Sequence, residues 1–150
     1  MPQSLSKILV HVVFSTKNRA PCLNTGVRDE LYRYMAMVLQ GLSCAPIKIG
    51  GEADHVHILC VLSKNISVAK LVEGVKRPTS KWVKSKRSDL KKFYWQNGYG
   101  AFSVSQSHLK QVTDYIANQK QHHRRITFQE EFRRLLKRYQ VSYDERYVWD

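Results

Sequence analysis

The sequence predicts an α+β protein: a ferredoxin-like βαββαβ antiparallel sheet with helices on one face, followed by a C-terminal helix. Three observations support this fold class. Short segments rich in branched residues indicate strands, apolar residues three or four apart indicate helices, and the two kinds alternate in split βαβ order. A chain of 150 residues suits one hydrophobic core, so we expect a single domain over residues 1–150, with a tail at about 127–150.

The N-terminal half supplies the first four elements. Residues 8–16 alternate in the manner of a strand, and residues 27–42 carry apolar side chains at helical spacing. Asn24 or Thr25 can cap that helix. Residues 47–49, which end at Gly50 and Gly51, and residues 55–62 then predict a hairpin with a tight glycine-containing connection.

The C-terminal half supplies the rest. Ser67 can cap a second helix, which we expect Pro78 to kink or stop near Arg77. A loop over residues 93–100 leads into a fourth strand over residues 101–105. Ser107 is a cap candidate for a third helix from residue 108 to about 122, and the tail looks helical over about 128–139.

Composition excludes several classes of protein. No apolar run approaches the roughly 18 residues of a membrane span, and the N-terminus lacks the order of a secretory signal, so we expect a cytoplasmic protein without a membrane partner. The three cysteines are odd in number and widely spaced, which argues against a disulfide framework or a cysteine-rich zinc site. No glycine loop for a nucleotide cofactor is evident.

Charge points to a polyanionic partner. The chain has 25 basic and 12 acidic residues, a net charge of +13. Two basic clusters, at residues 70–92 and 120–138, are interleaved with Trp82, Phe93, Tyr94, Trp95 and Phe128, a pattern typical of phosphate contacts combined with base stacking. The side chains that we expect to contact nucleic acid are Lys70, Lys76, Arg77, Lys81, Lys84, Arg87, Arg124 and Arg125. A solvated helix face is the alternative interpretation of such clusters.

A His-x-His pair begins the third predicted strand. His55 and His57 project to the same side, while Val56 and Ile58 face the core. Two imidazoles on one face form half of a metal site, although an isolated His-x-His is a weak signal. The pair starts an otherwise apolar strand, and a bound cation would offset the cost of burying unpartnered imidazoles.

The third helix can supply the other half of such a site. His108, Gln111, Tyr115, Gln119 and His122 form a polar stripe, on which Tyr115 and Gln119 are neighbours. If this face packs on the histidine strand, it brings a phenol and an amide oxygen to the metal. Since the chain has eight tyrosines, composition alone leaves Tyr115 equally interpretable as a partly buried structural residue.

The motifs together resemble the one-tyrosine HUH transposases of bacterial insertion sequences and their relatives associated with repetitive extragenic palindromes. The resemblance covers nearly the whole chain. It rests on residues 54–59 (Asp-His-Val-His-Ile-Leu), residues 93–104 (from Phe-Tyr-Trp-Gln-Asn-Gly to Phe-Ser-Val), residues 115–119 (Tyr-Ile-Ala-Asn-Gln), and the ending at residues 128–132 and 143–149. Pro78, inside a basic helix, departs from the expected pattern.

The resemblance implies roles for individual residues. His55, His57 and Gln119 would hold a divalent ion, Mg²⁺ or Mn²⁺, and Tyr115 would be the nucleophile. Tyr115 would attack single-stranded DNA at hairpin ends, leaving a 5′-phosphotyrosine link and a free 3′-OH, and a second 3′-OH would reverse the step. The working unit would be a homodimer in which the tyrosine helix can serve the partner's histidines.

Three other functions fit parts of the sequence. A relaxase or replication initiator shares the histidine pair, but such proteins are usually larger. A non-catalytic nucleic-acid-binding module on a ferredoxin-like sheet would need neither metal nor Tyr115. A structural zinc protein is the weakest alternative, because paired cysteines are missing.

Overall fold

A four-stranded antiparallel sheet forms the centre of the protein. The computed structural model describes residues 2–150. The strands are β1 (Leu9–Ser15), β2 (Pro46–Glu52), β3 (His55–Val61) and β4 (Gly100–Val104), in the spatial order β2-β3-β1-β4. This order and the antiparallel pairing of every neighbour confirm the predicted ferredoxin-like class.

Two helices cover the first face of the sheet. α1 (Thr25–Gly41) is capped by Asn24, whose side chain accepts from the backbone N–H of Val27, and α2 (Val68–Lys86) is capped by Ser67. Their apolar stripes pack on alternate strand residues to form the main core, which includes Val12 and Ile58. Burial of this continuous apolar surface supplies most of the driving force for folding.

α2 continues through Pro78, so the expected stop near Arg77 was wrong. The helix runs through it to Lys86, and buried residues on both sides, Val75 and Val83, pack on the sheet. The hydroxyl of Thr79 donates to the carbonyl oxygen of Val75 at 2.6 Å. Tertiary packing thus offsets the backbone hydrogen bond that proline cannot make.

Three further helices cover the second face. They are α3 (Leu109–Ala117), α4 (Gln119–His122) and α5 (Phe128–Arg138). The predicted third helix is divided at Asn118, and Ser107 lies in a 3-10 turn (Gln106–His108) instead of capping it. Both faces are therefore covered, which explains why every residue of β1 is buried.

The hairpin differs from the one predicted. Gly50 and Gly51 lie inside β2, and the connection to β3 is the pair Ala53 and Asp54. A Cβ atom on Gly50 would lie 2.7 Å from the backbone oxygen of Ile116. Gly50 therefore serves the close approach of α3 to the sheet.

The loop before β4 fixes the edge of the sheet. Trp95 pairs with Thr16, and its indole N–H donates to the Thr79 hydroxyl at 3.0 Å. The buried side-chain oxygen of Gln96 accepts from the backbone N–H of Ser15 at 2.8 Å.

The three cysteines carry free thiols, with Cys44 and Cys60 buried and Cys22 partly buried. None of the helices over residues 2–150 is both long and apolar enough to cross a membrane.

Candidate active site

His55 and His57 lie side by side on the second face of the sheet. Both side chains are fully buried, and β1 places Val13 directly opposite His57. The residues between and beyond them, Val56 and Ile58, belong to the core on the other face. Strand alternation therefore gives the arrangement that the sequence predicts.

The Nδ1 atom of each histidine has its own partner. The Nδ1 of His55 lies 2.7 Å from a carboxylate oxygen of Asp54, and the Nδ1 of His57 lies 2.8 Å from the Nε2 of His11. A carboxylate only accepts hydrogen bonds, so the Asp54 contact favours the tautomer of His55 with its proton on Nδ1. Both Nε2 atoms are directed toward α4 and α5.

The tyrosine helix meets the histidines within one chain. The side-chain oxygen of Gln119 lies 2.9 Å from the Nε2 of His55, and the rings of Tyr115 and His57 are 5.7 Å apart between centroids. Tyr115 is partly buried, and its hydroxyl donates to the carboxylate of Glu131. The four predicted site residues are thus brought together around one buried point.

Glu131 lies at the centre of the site, although the sequence analysis assigned it no role. It accepts from the Nε2 amide of Gln119 at 2.9 Å, and its Oε1 lies 3.1 Å from the Nε2 of His57. The signal available in the sequence was its phase on α5, where it shares the buried stripe with Phe128 and Phe132. A glutamate in an apolar stripe is rarely buried without a partner.

Two more histidines border the site. The Nδ1 of His123 lies 2.9 Å from the carbonyl oxygen of Ile126, so its Nε2 turns inward and lies 2.9 Å from the Gln119 oxygen and 3.0 Å from Glu131. The Nε2 of His122 lies 3.5 Å from Glu131. These residues follow the break at Asn118, where α4 begins.

Burial and the ring of imidazoles set the protonation of the site. Burial works against the ionisation of Glu131, but hydrogen bonds from His123 and His57 outweigh it and hold the pKa of this carboxyl well below its usual range. Burial, followed by the charge of His57, lowers the pKa of His11 to about 3. Burial and the Glu131 carboxylate raise the pKa of the Tyr115 phenol.

The donor set suits a cation. The ligand atoms of His55, His57 and Glu131 lie within 4.8 Å of one another, and the Gln119 oxygen is adjacent. Imidazole nitrogens and carboxylate or amide oxygens are ordinary ligands for divalent metals. The group could therefore hold a divalent ion.

A cleft of about 630 Å³ leads from solvent to Tyr115. The residues that line it include His11, His122, Arg134, Arg138 and Tyr139. Neither Arg134 nor Arg138 was among the predicted DNA contacts. Their guanidinium groups give the approach to the phenol a positive charge.

The predicted DNA contacts fall on two sides of the molecule. Arg124 and Arg125 are exposed and line a groove with Asp54 and His123, beside the site. The others lie on or just beyond α2, which packs on the opposite face of the sheet: Lys70, Lys76, Arg77, Lys81, Lys84 and Arg87.

The predicted DNA contacts on or just beyond α2 differ in whether their side chains are already bound by other groups of the protein. Lys81 is exposed, whereas Arg77 pairs with Glu73 at 3.0 Å and Arg87 with Asp89 at 2.9 Å. The ammonium of Lys76 donates to the carbonyl oxygens of Gln96 at 2.7 Å and Gly98 at 2.6 Å. Lys76 therefore has a structural role in holding the loop before β4.

The aromatic residues that the sequence analysis associated with base stacking are mostly internal. Phe93, Trp95 and Phe128 are buried, because they fill the two cores. Trp82 stacks on Tyr34 with centroids 5.6 Å apart. Tyr94 is exposed, and the ammonium of Lys84 lies 4.2 Å from its ring centroid. Of the five, Tyr94 is the one that presents an open ring to solvent.

Comparison with known families defines the class of protein. The model of the IS200-like transposase family matches residues 4–119, which include β1 to β4, the histidine pair and the tyrosine helix. This chain belongs to that family, as the resemblance of its motifs implied. The match ends at Gln119, so it does not include α5 and Glu131.

Solved structures share the fold. A candidate transposase from Deinococcus radiodurans R1 is 21% identical, with a TM-score of 0.62 over 79% of this chain and 98% of that one. A REP-associated tyrosine transposase bound to a REP hairpin is 15% identical, with a TM-score of 0.61 over 82% of this chain and 73% of that one. No curated protein matches the sequence.

Proposed function

We propose that this chain is a metal-dependent single-stranded DNA transposase that cuts and rejoins hairpin ends through Tyr115. The observation that carries the proposal is the meeting of Tyr115, Gln119, His55 and His57 around one buried point in a single chain. Membership of a transposase family and a fold shared with a transposase bound to a REP hairpin support it.

The proposed reaction is a transesterification. The Tyr115 oxygen bonds to phosphorus, the bond from phosphorus to the 3′ oxygen breaks, and a free 3′-OH and a 5′-phosphotyrosine result. The raised pKa keeps the phenol protonated, so its proton must leave during attack. Its hydroxyl donates a hydrogen bond to Glu131, which orients the phenol. The proton that the phenol loses to solvent is balanced by the proton that the departing 3′ oxygen gains. Attack by a second 3′-OH reverses the step.

His55, His57 and Gln119 are the proposed ligands of Mg²⁺ or Mn²⁺. The bound ion would supply Lewis-acid polarisation of the scissile phosphate. Asp54 and His11 orient the two imidazoles, and burial of the pair excludes water from their Nε2 atoms. Arg134 and Arg138 would attract the DNA phosphates into the cleft.

The proposed working unit is a homodimer, as the family resemblance implies. Because the phenol and the histidines meet within one chain here, a second subunit is not needed to build the site. Glu131 enters the site from α5, so the tail helix belongs to the same functional unit as residues 4–119.

The test is an adduct assay. Labelled single-stranded hairpin DNA is incubated with the protein and Mn²⁺, and denaturing gels report covalent complexes. We expect an adduct with the unaltered protein, none after removal of the metal, and none with Tyr115→Phe. Tyr139→Phe is the matched control, since Tyr139 lines the same cleft but its hydroxyl donates to Ser103.

Two outcomes would contradict the proposal. An adduct that survives in Tyr115→Phe would reject this nucleophile. Metal-independent binding without any adduct, unchanged by Tyr115→Phe, would favour the non-catalytic DNA-binding module.

A further inference from the structure

We propose that Glu131 is a protein ligand of the catalytic metal ion, alongside His55 and His57. This inference rests on the proposed function and deepens it, because it adds an anionic ligand from a helix outside the region that matches the family. Gln119 then has two roles: its oxygen faces the same point, and its amide positions the carboxylate.

The distances suit coordination to one ion. The Oε1 of Glu131 lies 3.4 Å from the Nε2 of His55 and 3.1 Å from the Nε2 of His57. Neighbouring ligands held about 2.1 Å from a six-coordinate ion lie about 3 Å apart. A single Glu131 oxygen at these distances from both imidazole nitrogens could therefore occupy the ligand position next to them.

Hydrogen bonding explains the arrangement less well. The proton on His55 is drawn to the Nδ1 side by Asp54, so its Nε2 turns a lone pair toward Gln119 and Glu131, both of which offer oxygens. Facing acceptors repel one another unless a cation lies between them. A cation between His55 and Glu131 would satisfy both of these facing groups.

Charge supports the same conclusion. Glu131 is 1% exposed, and burying a carboxylate is costly unless it is paired or binds a metal. One divalent ion balances the carboxylates of Glu131 and Asp54. A carboxylate adds a hard oxygen ligand of the kind that Mn²⁺ and Mg²⁺ bind.

Mn²⁺ binding tests the ligand role without using activity. Free Mn²⁺ is measured by electron paramagnetic resonance during titration of the unaltered protein, Glu131→Gln and Glu130→Gln. We expect Glu131→Gln to weaken Mn²⁺ binding by at least about tenfold, since even residues outside the coordination shell cost 10–100-fold. Glu130 is the exposed neighbour of Glu131 on α5, so Glu130→Gln is the matched control. Its Mn²⁺ affinity should lie within about twofold of that of the unaltered protein.

Diffraction keeps the proposal testable if Glu131→Gln does not fold. Crystals of the unaltered protein soaked in MnCl₂ locate the ion by its anomalous signal. A Mn²⁺ ion bonded to both imidazoles and to a Glu131 oxygen supports the proposal, and an ion bonded to the imidazoles but out of reach of Glu131 overturns it.

Failure of the inference differs from failure of the proposed function. Equal Mn²⁺ affinity in Glu131→Gln and the unaltered protein removes Glu131 as a ligand and leaves the Tyr115 adduct intact. An unaltered protein that binds Mn²⁺ through Glu131 but forms no adduct removes the transposase activity and leaves the metal site.

Discussion

At the residue scale, the site depends on which nitrogen of each imidazole carries the proton. Asp54 and His11 bind the Nδ1 atoms of His55 and His57, so both Nε2 atoms face the site. Asp54 is partly exposed and lies in the turn between β2 and β3. It can therefore be altered without opening a cavity in the core.

We expect Asp54→Ala to weaken Mn²⁺ binding by roughly 10–100-fold, the usual cost of losing a group that orients a metal-binding histidine. Asp54→Asn should bind more tightly than Asp54→Ala, because the amide oxygen still accepts from Nδ1. Calorimetric titration with Mn²⁺ measures both. Equal affinity of Asp54→Ala and the unaltered protein would show that packing alone orients His55.

The place of Glu131 in the site could not be predicted from the sequence around it. His55 and His57 could be chosen from the sequence because strand alternation is local. Glu131 is 74 residues from His57, and its role depends on how α5 packs on the sheet. Only its place in the buried stripe of α5 distinguished it from the exposed Glu130.

At the scale of elements, the approach of α3 to the sheet sets the position of Tyr115. Gly50 lies directly opposite His57 in the β2–β3 pair and in contact with the turn of α3 that contains Ile116. A side chain at this position would meet the backbone oxygen of Ile116, which cannot move independently of the helix. Glycine is therefore required by packing.

Gly50→Ala should displace α3 and reduce the rate of adduct formation more than tenfold, because small misplacements of a nucleophile can cost about 100-fold. Gly41→Ala is the matched control: it lies at the end of α1 with no atom within 4 Å of the added carbon. We expect it to leave the rate unchanged and to raise the melting temperature slightly. Equal rates for both variants would contradict this role of Gly50.

Two other elements show where local patterns failed. Pro78 predicted a kink or a stop near Arg77, but α2 does not stop there, because its buried face packs on the sheet on both sides of the proline. The polar stripe predicted one helix through His122. The helix is instead interrupted at Asn118, and His122 and His123 lie beside Glu131. In both cases tertiary contacts outweighed local preference.

At the scale of the whole molecule, a chain of net charge +13 carries basic residues over both faces of its sheet. Arg124 and Arg125 lie beside the site, whereas Lys81 and Lys84 lie on the helix that covers the opposite face. Under the proposed function, a strand that reaches Tyr115 would lie closer to the first pair than to the second. Whether the DNA also passes over α2 determines how much Lys81 and Lys84 contribute to binding.

The salt dependence of hairpin binding distinguishes the two faces. Log affinity falls as log salt rises, and each phosphate contact that is lost reduces the magnitude of this slope by about 0.7 for single strands. We expect the double change Arg124→Ala and Arg125→Ala to lower the slope by about 1.4. Lys81→Ala with Lys84→Ala, which removes the same charge, should lower it less. A larger effect of the lysine pair would place the DNA path over α2.

The sequence by itself determined the order of the elements, the pairing of His55 with His57 and the basic character, because alternation, helical spacing and charge are local properties of the chain. The tertiary structure alone decided that Tyr115 reaches its own histidines, that Glu131 and His123 join them, and that Lys76 binds a loop. These facts depend on contacts between residues distant in sequence, which arise only when both faces of the sheet are covered.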